Sequence, residues 1–138
     1  MKKKVDWQID FNKFVEKNFD KPFVWGKWDC CLFSDACIKA ITGESLIPKQ
    51  LVWSDEKSAI QAITGYGKTL KNSISKAAKK KKLQKVDINY LQKGDLVVID
   101  NNGQVCGIYD GSKTIGPNDM GIAAISGSKI LSAWRINE

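Results

Sequence analysis

The stretch Phe23 to Gly43, F-V-W-G-K-W-D-C-C-L-F-S-D-A-C-I-K-A-I-T-G, constrains this chain more than any other. Leu32, Phe33, Ala36, Cys37, Ala40 and Ile41 recur at three- and four-residue steps and so make one apolar helix face. Asp29 is a natural N-cap, and Thr42-Gly43 supplies a glycine stop. A helix bounded in this way must be covered along its stripe, and the remaining residues have to provide the cover. Cys30 then stands in the first turn, where unpaired backbone N–H groups and the positive end of the macrodipole favour thiolate. Cys37 lies two turns further along the same stripe. Cys31 and Cys37 read as small core residues. Cys30 reads equally as core or as a prepared nucleophile.

Around this helix the pattern changes once. Asp6 to Phe19 reads as an amphipathic helix, with Trp7, Phe11, Phe14 and Val15 on one face. Lys21-Pro22 closes it, and a connection carrying Pro48 follows Gly43. Further helices are predicted from Ser54 to about Gly65-Tyr66-Gly67 and from Thr69 to Leu83. After Gly94-Asp95 the branched run Leu96-Val97-Val98-Ile99 reads as a buried strand, and Asp100-Asn101-Asn102-Gly103 as a hairpin turn. The returning strand is Gln104–Tyr109, with later strands at 113–115, 122–125 and 130–136. Helices first and an antiparallel sheet afterwards make an α+β layout, with a helical half over about 6–85 and a β half over about 94–136. At 138 residues the whole is expected to be one domain.

Composition narrows the chemistry. No apolar run reaches membrane-spanning length, and no signal-peptide core follows Met1-Lys2-Lys3-Lys4, so synthesis in a reducing cytoplasm is expected. Four cysteines in a chain of this size do not make a disulfide scaffold. Without zinc spacing, and without any histidine, neither a metal nor another cofactor is expected. The net charge of +7 comes from one segment, because Lys68 to Lys85 holds eight lysines and no acid. Within it Lys79, Lys80, Lys81 and Lys82 form a basic surface suited to an acidic neighbouring subunit. With arginine scarce and no aromatics interleaved, nucleic acid is not the expected partner. Asp95, Asp100 and Asp110 read as turn formers at strand ends. Trp7, Trp25, Trp53 and Trp134 read as core. Trp28 stands next to Asp29-Cys30, where lining a cleft competes with packing.

Taken in order, W-G-x-x-D-C at a helix start, G-D-L-V-V-x-D, C-G-I-Y-D-G and a terminal A-W-R resemble the NlpC-type peptidases. These are papain-like cysteine hydrolases that cut the stem peptides of peptidoglycan. The set is most similar to a phage and prophage branch with F-x-W-G-x-x-D-C-x-x-F, here Phe23 to Phe33, and covers about Phe11 to Ile136. The resemblance implies N-terminal helices packed on a C-terminal antiparallel half-barrel. It places Cys30 at the nucleophile and Asp29 at its acidic neighbour. Trp25, Gly26, Trp28 and Gln104 fall along the cleft.

The catalytic histidine of H-V-G-I-Y falls on Val105, and the tyrosine before W-G on Phe23. A thiol hydrolase needs a base to hold the thiolate and an acid for the leaving amine. Losing a proton-transfer partner costs roughly a hundred- to ten-thousand-fold. Alternation along the strand turns Cys106 to the face opposite Val105, so it reads as core. The resemblance therefore implies a phage tail-associated structural or assembly protein, a pseudoenzyme made in the host cytoplasm and built into the virion tail. Its implied partners are other tail proteins and peptidoglycan. The alternative is an active cell-wall amidase or peptidase using Cys30 with a non-histidine base or one supplied by a partner.

Overall fold

In the computed structural model, residues 1–127 and 129–138 are described. Four helices precede a six-stranded antiparallel sheet. The first, α1 (Trp7–Asn18), buries Trp7, Phe11 and Phe14 at helical spacing. In α2 (Cys30–Thr42), the apolar stripe places Phe33, Cys37, Ile38 and Ile41 at 0% exposure. Each large side chain among them contributes about 1.5–3 kcal/mol on burial. Gly43 ends the helix at φ 85°, donating its N–H to Lys39 O at 2.8 Å. That left-handed conformation is what the glycine stop requires.

Helix α3 (Glu56–Gly67) opens on a reciprocal capping box between Asp55 and Ser58. Helix α4 (Leu70–Lys80) is capped by Thr69, whose side chain accepts from Asn72 N. It ends earlier than the periodicity predicts, because Lys82 turns at φ 60° and Gln84–Val86 joins the sheet as β1. Among the described residues that edge strand pairs with a segment near the C-terminus, so no local pattern announces it.

The other strands are β2 (Leu96–Asp100), β3 (Gln104–Tyr109), β4 (Thr114–Asn118), β5 (Gly121–Ala124) and β6 (Lys129–Arg135), in the order β1-β6-β2-β3-β4-β5. The hairpin between β2 and β3 turns through Asn102 (φ 52°) and Gly103 (φ 122°), as the Asn-Gly pair predicts. One face of the sheet presents Leu96, Val98, Cys106, Ile108 and Trp134 to the helices and shares a core with α1, α2 and α4. The other presents Val97, Ile99 and Ala133, packed against Val105, Tyr109, Ile125 and Ile130. Strand β2 is thus covered on both faces, which explains its unbroken apolar run. Helix α2 lies on β3 and β4, with α1 against it. Among the described residues, no helix is long and apolar enough to cross a membrane.

Asp95 departs from the solvated turn former read in the sequence. It is fully buried and takes Arg135 at two points, Nε to Oδ1 at 3.0 Å and Nη2 to Oδ2 at 2.9 Å. Gln92 N adds a third donor at 2.8 Å. Gly-Asp before β2 and the terminal A-W-R are therefore two halves of one contact, which pins the end of β6 to the start of β2. Asp110 is the turn former expected, accepting from Ser112 N and Lys113 N.

Candidate functional site

The site is built on the N-terminus of α2. Asp29 sits just outside the helix in extended conformation, and its Oδ1 accepts from Leu32 N at 3.0 Å. Its Oδ2 accepts from Gly26 N at 3.0 Å and from Trp53 Nε1 at 2.8 Å. The carboxylate is 1% exposed and has a donor on each oxygen. Gly26 makes this possible, because at φ 77° a Cβ there would lie 2.5–2.6 Å from the Ser54 backbone. The W-G-x-x-D spacing is thus a loop that closes on its own cap and on the segment before α3. Trp53, read as plain core, carries a polar role that only its contact with Asp29 reveals.

Cys30 is half-buried and opens onto a cleft of about 590 Å³. Phe23, Trp25, Gln104, Val105 and Pro117 are among the cleft's walls. Phe23 and Trp25 meet edge to face at 5.0 Å, and Phe23 N is tied to Asn118 O at 2.8 Å. Trp25 is 38% exposed and lines the cleft rather than joining the core. Trp28 does not. It lies 5% exposed between Phe14 and Phe33, with Lys21 Nζ 3.9 Å from its ring centroid. Its indole is large enough to complete the α1–α2 packing, and that burial takes it out of the cleft. Gly26 shapes the loop without lining the cleft wall. Gln104 lines it, but its Oε1 accepts from Lys71 N at 2.8 Å, at the start of α4.

Val105 and Cys106 do alternate across β3, Val105 toward the outer cluster and Cys106 toward the helices. Cys106 is buried in the core, as the sequence suggests, and yet lies close to Cys30. The sulfurs of Cys30, Cys31 and Cys106 all lie within 4.8 Å of one another. Cys106 Sγ is 3.9 Å from Cys31 Sγ and 3.7 Å from Ser34 Oγ. Helix α2 packs on β3, which brings its first turn over Cys106. The neighbouring Cys106 and Cys31 thiols hold the Cys30 thiol well below its usual range, against burial. The same contacts push Cys31 and Cys106 up. A thiolate at Cys30 is favoured further by the helix end. Exclusion of a metal from the sequence rested on spacing along the chain, and Cys106 enters the group only through folding.

The lysines stand elsewhere. Lys80 and Lys81 border a separate groove with residues 44–50, and Lys81 pairs with Glu44 at 3.5 Å. Lys80 lies 5.5 Å from the Tyr66 ring centroid. Lys79 is exposed in the last turn of α4, and Lys82 follows the helix in the turn toward β1. Basic residues at a helix C-terminus suit the macrodipole, which accounts for part of the run.

No curated protein matches the chain. One family model does, over residues 2–136, under the description Domain of unknown function (DUF6950). With nearly its whole length matched, the chain belongs to that family.

Proposed function

We propose that this protein is a catalytically silent module on an NlpC-type, papain-like scaffold, holding a peptide-bearing polymer in its cleft without cutting it. The observation that carries this reading is the company Cys30 keeps. Its sulfur has two further thiols as partners, while the adjacent carboxylate has a donor on each oxygen. A thiol hydrolase must carry a proton to the leaving amine, and neither arrangement supplies an imidazole-like shuttle. Val105 occupies the position that the resemblance assigns to histidine, and its aliphatic side chain cannot take that part. Support for the scaffold comes from the α+β order and from a cysteine at the first turn of a helix lying on the sheet. The exposed Trp25 beside Phe23 offers an aromatic wall for a peptide or sugar face. The phage tail setting, with other tail proteins as partners, rests on the resemblance of the ordered motifs.

Purified peptidoglycan tests the reading in one assay. Co-sedimentation with the sacculi, weakened about tenfold by Trp25→Ala, together with no release of new amines, is the expected result. The depressed Cys30 thiol favours a second reading, a hydrolase whose base comes from a partner chain. Amine release that Cys30→Ala abolishes would establish that reading and displace the first.

A further inference from the structure

The cysteines of α2 and β3 carry an inference that stands apart from whatever the cleft holds. Three sulfurs within 4.8 Å of one another, one pair at 3.9 Å, are free thiols. A disulfide would need a sulfur separation of about 2.05 Å. A cation bound to three thiolates at about 2.3 Å spaces its sulfurs by roughly 3.8–4.0 Å. The group therefore needs to draw in by less than about an ångström to surround one ion.

The surroundings favour such an ion. Two of the sulfurs come from consecutive residues in the first turn of α2 and the third from β3, so helix-on-sheet packing sets the group. Thiolates there face the positive end of the helix, which offsets part of their negative charge. Cys30 and Cys31 line the cleft, giving an ion a way in and leaving a coordination position toward solvent. Cys106, 1% exposed and beside Ser34 Oγ, closes the site from behind. All three donors are soft sulfur, which selects zinc or copper(I) over magnesium or calcium.

We propose that Cys30, Cys31 and Cys106 form a three-thiolate site for a thiophilic d10 cation, with its remaining position open to the cleft. Each thiol that binds gives its proton to solvent as the ion sheds water. The test uses the full chain, reduced and stripped with a chelator, then titrated with Co²⁺ and afterwards with Zn²⁺. One Co²⁺ per chain is expected, with sulfur-to-cobalt charge-transfer absorption of three thiolates, bleached when Zn²⁺ displaces it. Zn²⁺ should also slow iodoacetamide labelling of Cys30 and Cys31 at least tenfold. Cys30→Ser should weaken Co²⁺ binding at least tenfold and lower the band by about a third, while Cys37→Ala leaves both unchanged. Should Cys106→Ser fail to fold, the wild-type band intensity still counts the thiolates. No charge-transfer band, a band unaltered in Cys30→Ser, or metal lost on dialysis would overturn the proposal.

Discussion

The two ends of α2 carry the same residue in opposite settings. Cys30 and Cys37 share one stripe, yet Cys30 borders a cleft beside two other thiols and Cys37 is sealed at 0% exposure. At the open end, polar groups are satisfied one by one, with Asp29 collecting two backbone N–H groups and an indole. At the sealed end, Ile38 and Ile41 are packed with no exposure at all. Helical period decides which face a residue shares. What closes over that face decides its chemistry.

The largest expected effect is in thiol reactivity. Cys37 meets reagent only when the molecule opens globally, and domains of this size are stable by about 5–15 kcal/mol. In chelator-treated protein, iodoacetamide followed by mass spectrometry should therefore show Cys30 labelled roughly a thousandfold faster or more. Its thiol is held down by Cys106 and Cys31, so the rate should plateau at a pH below the ordinary 9.0. Equal rates at the two cysteines would erase the distinction between the ends.

Next comes packing. Ile38→Ala should lower stability by about 2–5 kcal/mol, read as a shifted urea midpoint at unchanged slope. At the open end, Asp29→Ala removes the cap and leaves Gly26 N and Trp53 Nε1 without their acceptor, a loss of about 1–3 kcal/mol. Asp29→Asn should recover part of it, because its amide oxygen can still accept. A cap variant costing more than the core variant would mean that the open end, not the sealed one, holds the helix in place.

This contrast also marks what the sequence could reveal. Period, cap and glycine stop are local, and α2, the β2–β3 hairpin and the order of helices before strands were all legible from them. The edge strand β1 was not, because its partner lies near the C-terminus. Asp95 looked like a turn residue until Arg135, far along the chain, was seen to bind it. Cys106 joined the site for the same reason, since alternation reports the face of a strand but not which helix end lies over it. Trp28 was misplaced because neighbouring a cysteine in sequence says nothing of which way an indole turns. Covalent neighbours set the frame, and pairings across the fold set the site.

The smallest effect concerns the sealed end in alkali. Burial pushes the Cys37 thiol up to about 12 from the ordinary 9.0. Above pH 9 the unfolded chain holds fewer protons at this residue than the folded one, so stability falls as pH rises. The contribution is whole below about pH 9 and is lost progressively toward pH 12. At pH 10 the loss should be about 1.4 kcal/mol, modest beside the core variant. Cys31 and Cys106 act in the same direction and Cys30 in the other, so total alkaline sensitivity does not isolate Cys37. Cys37→Ala subtracts this one residue. Urea unfolding at pH 8 and pH 10 should show the variant less stable at both, with a smaller drop between them than wild type. Parallel drops would mean that solvent reaches Cys37, and the stripe of α2 would then be open along its whole length.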